Sequence, residues 1–324
     1  MKTVVEVRPT MPIRVSLVAA DGYILSARLY KSDGEVRARI IVAGATGVPQ
    51  TFYQAFAQFA ASQGYETLTL DYRGIGLSKP LTLKGFRMAY LDWANQDLAS
   101  AVDYMHTDAI SLFMVGHSFG GHAFGLLPNH DKVAKLYTFA TGAGWHGWMP
   151  KSEQFKVLIL WKFIGPLLVR WKGYLAWSKL GMGEDLPQGV FRDWKHWCQF
   201  PRYFFDDPAM SHLREKFGSV KTPIMAANAL DDLWALPRSR DAFMSGYPQG
   251  IWQSADIDPA TLGLESIGHL GYFRRNAQPL WRDVLTWFES SEIPKFTSFG
   301  PHGNQFPTRH GTTNYSGSNG RCAG

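Results

Sequence analysis

Cysteine is nearly missing from this chain of 324 residues: Cys198 and Cys322 are the only two, far apart, without CxxC spacing or a histidine-rich context. That excludes a disulfide framework and a structural zinc site, and it fits a reducing compartment. Long apolar runs are missing too. The longest, VLILWKFIGPLLV at 157–169, is interrupted by Lys162, Gly165 and Pro166 and falls short of the roughly 20 residues a bilayer span needs. The opening MKTVVEVRPTMPIRV carries charges and prolines where a secretory signal needs an unbroken apolar stretch, so no export signal is read and a cytoplasmic location is expected. No HExxH, P-loop or GxGxxG stands in a qualifying strand and helix context, and no cofactor or metal is implied. His117 and His122 lie five apart across a turn with no matching carboxylate or cysteine set nearby, so they are assigned to local packing rather than ligation.

The net charge is +6, but no helix-turn-helix, zinc-finger or RNP signature accompanies it, and nucleic acid is not the expected partner. Much of the excess is local. Between Trp145 and Met182 stand Lys151, Lys156, Lys162, Arg170, Lys172 and Lys179 against Glu153 alone. Interleaved with Trp161, Trp171 and Trp177, these residues resemble an interfacial amphipathic segment, though a solvated basic face is the plainer reading. Oligomeric state is not indicated.

What the chain does have is 45% apolar content and an alternating rhythm of strands and helices. YILSARLY at 23–30 alternates and ends at the turn KSDGE. ARIIVAGATG at 38–47 is an unbroken β-branched run suited to a strand buried on both faces. FYQAFAQFAASQG has helical apolar spacing and a terminal glycine, and YETLTLDYRG is the next strand. YLDWANQDLASAVDYMH at 90–106 predicts one long amphipathic helix, SLFMVG a strand running into Ser118, and AKLYTFATGAG, KTPIMAANAL and DVLTWFES two more strands and a closing helix. Such alternation predicts an α/β fold: a mostly parallel central sheet with helices on both faces.

The interval from Trp145 to His212 breaks the rhythm, being helical in pattern, rich in aromatics and without a convincing buried strand. The expected organisation is a core of 1–144 and 213–293 with a helical cap inserted at 145–212. Residues 294–324 are dominated by Gly, Ser, Thr, Asn and Pro, and Leu, Ile, Val and Met are absent from Phe296 onward, so this tail is expected to be disordered.

Within MVGHSFGGHAF at 114–124, Ser118 sits between an apolar strand and a helix, flanked by Gly116 and Gly120. A sharp strand-to-helix turn lifts its central hydroxyl out of the sheet and needs glycines where a Cβ would strike neighbouring backbone. The start of a helix also offers outward N–H groups to negative charge. A serine hydroxyl needs a base, and the base an orienting acid. DDLWALP places Asp231 and Asp232 just beyond a strand, and ESIGHLGYFRR places His269 in a loop before the last helix. Ser118, Asp232, His269 is the order that accompanies this elbow, with Asp231 the fallback acid because the register is ambiguous by one.

IIVAGATG, DYRGIGLS, GHSFGG, ALDDLWALP and IGHLGYFR together resemble the α/β-hydrolase superfamily over residues 10–292. The wording is most similar to bacterial predicted α/β hydrolases akin to the serine aminopeptidase and monoglyceride-lipase branch. The resemblance implies a nucleophile at Ser118, a general base at His269, an orienting acid at Asp232, and a cap at the family's usual insertion point. It also implies an oxyanion hole of two backbone N–H groups, from Phe119 and from Ala45 in the loop after IIVAG. Many members carry HG where Ala43 and Gly44 stand, and the HGGG run of one esterase branch is absent; a backbone donor does not depend on that side chain. In DYRGIGLS, Arg73 and the glycines are expected to shape the loop beside the nucleophile without taking part in the chemistry. Seven of the twelve tryptophans lie between Trp145 and Trp197, where they could line an apolar acyl pocket or simply pack the cap. A peptide would call for a charged anchor, and none stands out. The expected activity is a cofactor-independent serine hydrolase acting on a small apolar carboxylic ester or related acyl compound through an acyl-enzyme. Acyl transfer, peptidase action and ligand binding without turnover are the alternatives.

Overall fold

The computed structural model describes residues 11–181, 183–249 and 251–290. The described residues begin with a hairpin of β1 (Ile13–Val18) and β2 (Ile24–Tyr30), then β3 (Ala38–Ala43), α1 (Gln54–Ser62) and β4 (Tyr65–Leu70). Next come α2 (Ala99–Met105), β5 (Leu112–His117), α3 (Phe119–Ala123) and β6 (Lys135–Phe139). A mainly helical segment follows: α4 (Lys151–Ile159) and α5 (Gly165–Lys172), a minimal pairing of β7 (Tyr174–Leu175) with β8 (Leu186–Pro187), then α6 (Gln188–Trp197) and α7 (Leu213–Gly218). The chain then returns to β9 (Ile224–Ala229), α8 (Pro237–Met244), β10 (Trp252–Ile257) and α9 (Gln278–Glu289).

Eight strands form one sheet in the order β1-β2-β4-β3-β5-β6-β9-β10. β2 runs antiparallel to both neighbours; from β4 to β10 every pairing is parallel. The sheet explains the β-branched runs. Successive side chains of a strand point to opposite faces, so Ile41 and Ala43 of β3 join Trp93, Leu98 and Val102 in one core layer. Ile40 and Val42 join Phe56 of α1 and Trp281, Val284 and Phe288 of α9 in the other. Each buried isoleucine, leucine, valine or phenylalanine here contributes roughly 1.5–3 kcal/mol on full burial. The parallel strands β5, β6 and β9 end their chains on one edge, where crossovers leave a crevice for a site.

Three departures from expectation have plain physical causes. β1 and β10 were not anticipated, because these edge strands face solvent and IRVSLV and WQSADI carry polar residues in place of an apolar run. The helix expected over 90–106 is a π-helical turn at Trp93–Leu98 followed by α2, and apolar spacing does not distinguish the two windings. The helical segment also contains the two-residue β7 and β8, too short to leave a pattern. The expected tail at 294–324 lies outside the described residues, as does Cys322, while Cys198 is buried and free. Among the described residues, no helix is long and apolar enough to cross a membrane.

Candidate active site

β5 passes into α3 through Ser118, whose backbone sits at φ 52° and ψ −110°. A side chain in this region costs on the order of 1–3 kcal/mol and persists only where its surroundings hold it. Here the Ser118 N–H donates to the Phe139 carbonyl at 2.8 Å, and its own carbonyl accepts from Gly121 N–H at 3.0 Å and Thr141 Oγ1 at 3.1 Å. The glycines allow the close approach. A Cβ on Gly116 would come within 2.7 Å of Gly121 N, and one on Gly120 would strike the Ala43 carbonyl.

His269 meets the serine from the loop after β10. Its Nε2 lies 3.1 Å from Ser118 Oγ, and its Nδ1 lies 3.0 Å from each carboxylate oxygen of Asp232. Donation from Nδ1–H to the carboxylate leaves Nε2 free to accept the serine proton. Asp232 is wholly buried just past β9. Its Oδ1 accepts from the Trp234 and Ala235 N–H groups, each at 3.1 Å. Tyr272 Oη accepts from Ala229 N–H at 2.7 Å and turns toward Asp232 Oδ2 at 3.4 Å. Burial alone would lower the His269 pKa, but the charge of Asp232 and its hydrogen bond outweigh that pull and leave it raised above its ordinary 6.5. The ring side chain keeps 27% of its surface exposed, enough for a substrate to reach it.

The adjacent acid does something different. Asp231 accepts from the backbone N–H groups of Ile267, at 2.8 Å, and Gly268, at 3.1 Å, fastening the loop that carries His269.

A second buried chain of hydrogen bonds runs behind the first. Ala45 N–H donates to Tyr53 Oη at 2.7 Å, so the phenol proton points to His117 Nδ1 at 2.9 Å, and His117 Nε2–H donates to the His269 carbonyl at 2.8 Å. Burial first, and His269 second, hold His117 down near pKa 3, so it stays neutral. Ala45 therefore does not present the free N–H expected of an oxyanion donor: Tyr53 already occupies it. Phe119 N–H differs, standing at the first position of α3, where the helix offers no acceptor. His122 Nε2–H donates to the Gly142 carbonyl at 2.9 Å, and burial lowers its pKa to about 4. Among the described residues, no group of three or more His, Cys, Asp or Glu side chains could hold a metal ion.

Arg73 is buried and fixes the neighbouring turn, its Nε 2.7 Å from Asp97 Oδ1 and its guanidinium also paired with Asp21. Over the site stands a file of indoles. Trp234 lies 6.3 Å from the His269 ring, Trp194 of α6 lies 6.3 Å from Trp234, and Trp177 and Trp161 lie 5.5 and 5.0 Å from Trp194. Sequence reasoning missed Tyr53, Thr141, Trp234 and Tyr272. Only Tyr272 left a trace, three residues after His269 in GHLGYF.

Residues 34–197, half of the chain, match the family model described as serine aminopeptidase, S33. Direct comparison with curated proteins gives no match. Among solved structures, the chain is similar to a soluble variant of monoglyceride lipase from Saccharomyces cerevisiae in complex with a substrate analog, at 17% identity and TM-score 0.64, over 88% of this chain and 97% of that one. An esterase from Exiguobacterium antarcticum aligns at 15% identity and TM-score 0.56, over 86% and 100%. The acylaminoacyl peptidase of Pyrococcus horikoshii aligns at 13% and 0.55, over 87% of this chain and 42% of that one. At these identities the likeness speaks for the fold, while the family match identifies the chain itself: it belongs to the serine aminopeptidase S33 family and has the α/β-hydrolase fold.

Proposed function

We propose that this protein is a cofactor-independent serine hydrolase that cleaves a carboxylic ester with an apolar acyl group through an acyl-enzyme on Ser118. The observation that carries the reading is the unbroken line from Ser118 Oγ through His269 to buried Asp232, with contacts of 3.1 and 3.0 Å. In the first half-reaction, Oγ bonds to the acyl carbon as its proton passes to His269 Nε2, and Asp232 stabilises the imidazolium. The oxyanion that forms is met by Phe119 N–H. Ala45 N–H becomes the second donor only when it leaves Tyr53 Oη, a shift that substrate entry has to drive. Collapse breaks the ester C–O bond and His269 returns its proton to the leaving alkoxide. Water then attacks the acyl-enzyme by the reverse sequence, freeing the acid and Ser118.

The helical segment between β6 and β9 serves in this reading as a cap, with Trp194 and Trp234 forming an apolar roof that favours an acyl chain over a charged group. The family description favours a second reading, cleavage of a peptide amide. An aminopeptidase needs an acidic anchor for the substrate ammonium, and Glu184, beside the Gly47 turn, is already paired with Lys79 at 2.6 Å. The test is labelling by a fluorophosphonate probe, followed by turnover of p-nitrophenyl esters of graded chain length against aminoacyl p-nitroanilides. Folded protein that resists the probe would sink the serine mechanism. Faster turnover of the anilides would replace ester by amide.

A further inference from the structure

The segment 151–172 is one continuous helix, α4 and α5 joined through a π-helical stretch at Leu160–Ile164. Its inner side chains Val157, Leu160 and Trp161 are buried, and Trp161 packs on Trp194 of the roof. Its outer side is unusual. Phe155, Phe163 and Leu167 are each 67% exposed and Trp171 is 72% exposed, with Ile164 also in solvent. Single exposed apolar residues are ordinary, but a row of large ones on one element marks an interaction surface. The winding brings them into line. At about 100° per residue, a pure α-helix would turn Trp171 roughly 160° away from Phe155; the extra residue in the π turn takes back about 100° of that.

Charge surrounds the row. Lys151, Lys156, Lys162, Arg170 and Lys172 stand on the helix against Glu153, which is paired with Lys156 at 2.7 Å. Lys172 Nζ lies 4.2 Å from the ring centre of exposed Trp171. An open groove of about 730 Å³ between α5 and α6 adds Arg192 and Lys195 to Arg170, above an apolar floor of Val169 and Phe191; Asp193, the nearby carboxylate, is paired with Arg192. Two further exposed leucines, Leu77 and Leu81, belong to the loop that reaches the C-terminal end of the helix, where Gly173 lies against Lys84.

We propose that helix 151–172 docks this protein on an anionic lipid bilayer, its apolar row entering the acyl boundary and its basic flank meeting lipid phosphates. The helix spans roughly 33 Å at 1.5 Å per residue, yet it is too polar to cross a membrane and is suited to lie in the interface. Aromatic and aliphatic residues on one side with lysine and arginine alongside are the features such binding uses, and a neutral or cationic surface would not complement them. The proposal goes beyond the ester-hydrolase reading and does not depend on it; taken with that reading, it names the substrate as an ester dissolved in the bilayer, reached through the Trp161, Trp194 and Trp234 file.

The test is co-sedimentation of the full chain with vesicles of phosphatidylglycerol and phosphatidylcholine, and with phosphatidylcholine alone. The wild type is expected to bind the anionic vesicles at least tenfold more tightly, with the preference shrinking as salt rises. F163E/L167E/W171E should lose at least tenfold of that binding, and K162E/R170E should lose mainly the anionic preference. Fluorophosphonate labelling and turnover of a water-soluble short-chain ester, both unchanged in these variants, verify that the fold and Ser118 are intact; S118A should bind vesicles as the wild type does. Wild type that ignores anionic vesicles overturns the proposal. If size-exclusion chromatography then gives a dimer that F163E/L167E/W171E dissociates, the face pairs two copies of the chain; a monomer excludes that pairing as well. Both outcomes exclude the bilayer and leave the hydrolase reading untouched.

Discussion

The surroundings of Ser118 and the outer face of helix 151–172 obey opposite rules. Around Ser118 the working side chains are held by defined partners: His269 takes Asp232, Asp232 takes two N–H groups, and Asp231 holds the loop behind them. On the helix, large apolar side chains face solvent and nothing polar fixes their positions. Bond-making depends on atoms held within fractions of an ångström, so the first region is built from directional contacts. Contact with an apolar acyl chain or a fluid surface is non-directional, so the second needs area and charge but not order. Substitutions in the first region should therefore act on kcat, and those in and under the helical segment on apparent affinity.

The largest effect is expected from Ser118→Ala, which removes the proposed nucleophile and should lower kcat for a soluble ester by roughly 10⁴-fold or more while abolishing fluorophosphonate labelling. Near-normal turnover by this variant would mean that another group attacks. Asp232→Asn should cost about 10⁴-fold, because the amide cannot stabilise the imidazolium and favours the wrong tautomer of His269. An effect confined to KM would break the contrast between the two regions at its strongest point.

The pH profile follows. Only neutral His269 accepts the serine proton, and Asp232 raises its pKa, so kcat/KM should fall about tenfold per pH unit below a midpoint that lies above 6.5. His117 makes no contribution to that limb, since its pKa lies near 3. Initial rates on a non-titrating ester from pH 4 to 9 measure the midpoint. A midpoint below 6.5 would show that burial, not Asp232, governs the imidazole. Asp231→Asn should be milder, about tenfold in kcat, because it loosens the His269 loop by weakening charge-assisted bonds yet keeps a carbonyl acceptor. Equal losses for the Asp231 and Asp232 variants would erase the division of labour between neighbouring acids.

How much of this was legible depended on range. Ser118 was legible because strand, glycines and helix lie within a dozen residues, and β3 and β5 because burial on both faces writes an apolar run. His269 and Asp232 were weak signals individually and gained force from chain order. Between them, the choice over Asp231 needed coordinates: both follow β9, and only the turn aims one at the imidazole and the other at the Ile267 and Gly268 backbone. Tyr53 holding Ala45 N–H was invisible, since a phenol eight residues along a helix start leaves no mark of where its oxygen points. Edge strands β1 and β10 escaped because solvent on their exposed sides admits polar residues.

Trp194→Ala should have the smallest effect and the most direct bearing on the contrast between the regions. The indole touches no group of the Ser118, His269 and Asp232 line, but packs between Trp161 of helix 151–172 and Trp234, which faces His269. Its removal opens apolar volume in the roof without disturbing a hydrogen bond. For a medium-chain ester, KM should rise about threefold to tenfold, with kcat within about twofold of wild type, and the shortest esters should scarcely respond because their acyl groups do not reach the roof. Steady-state kinetics over a series of acyl lengths separates these quantities. A uniform fall in kcat at every length would mean that the indole supports His269 through Trp234, making the roof part of the rigid site; a KM effect that grows with chain length would keep recognition and chemistry in separate parts of the molecule.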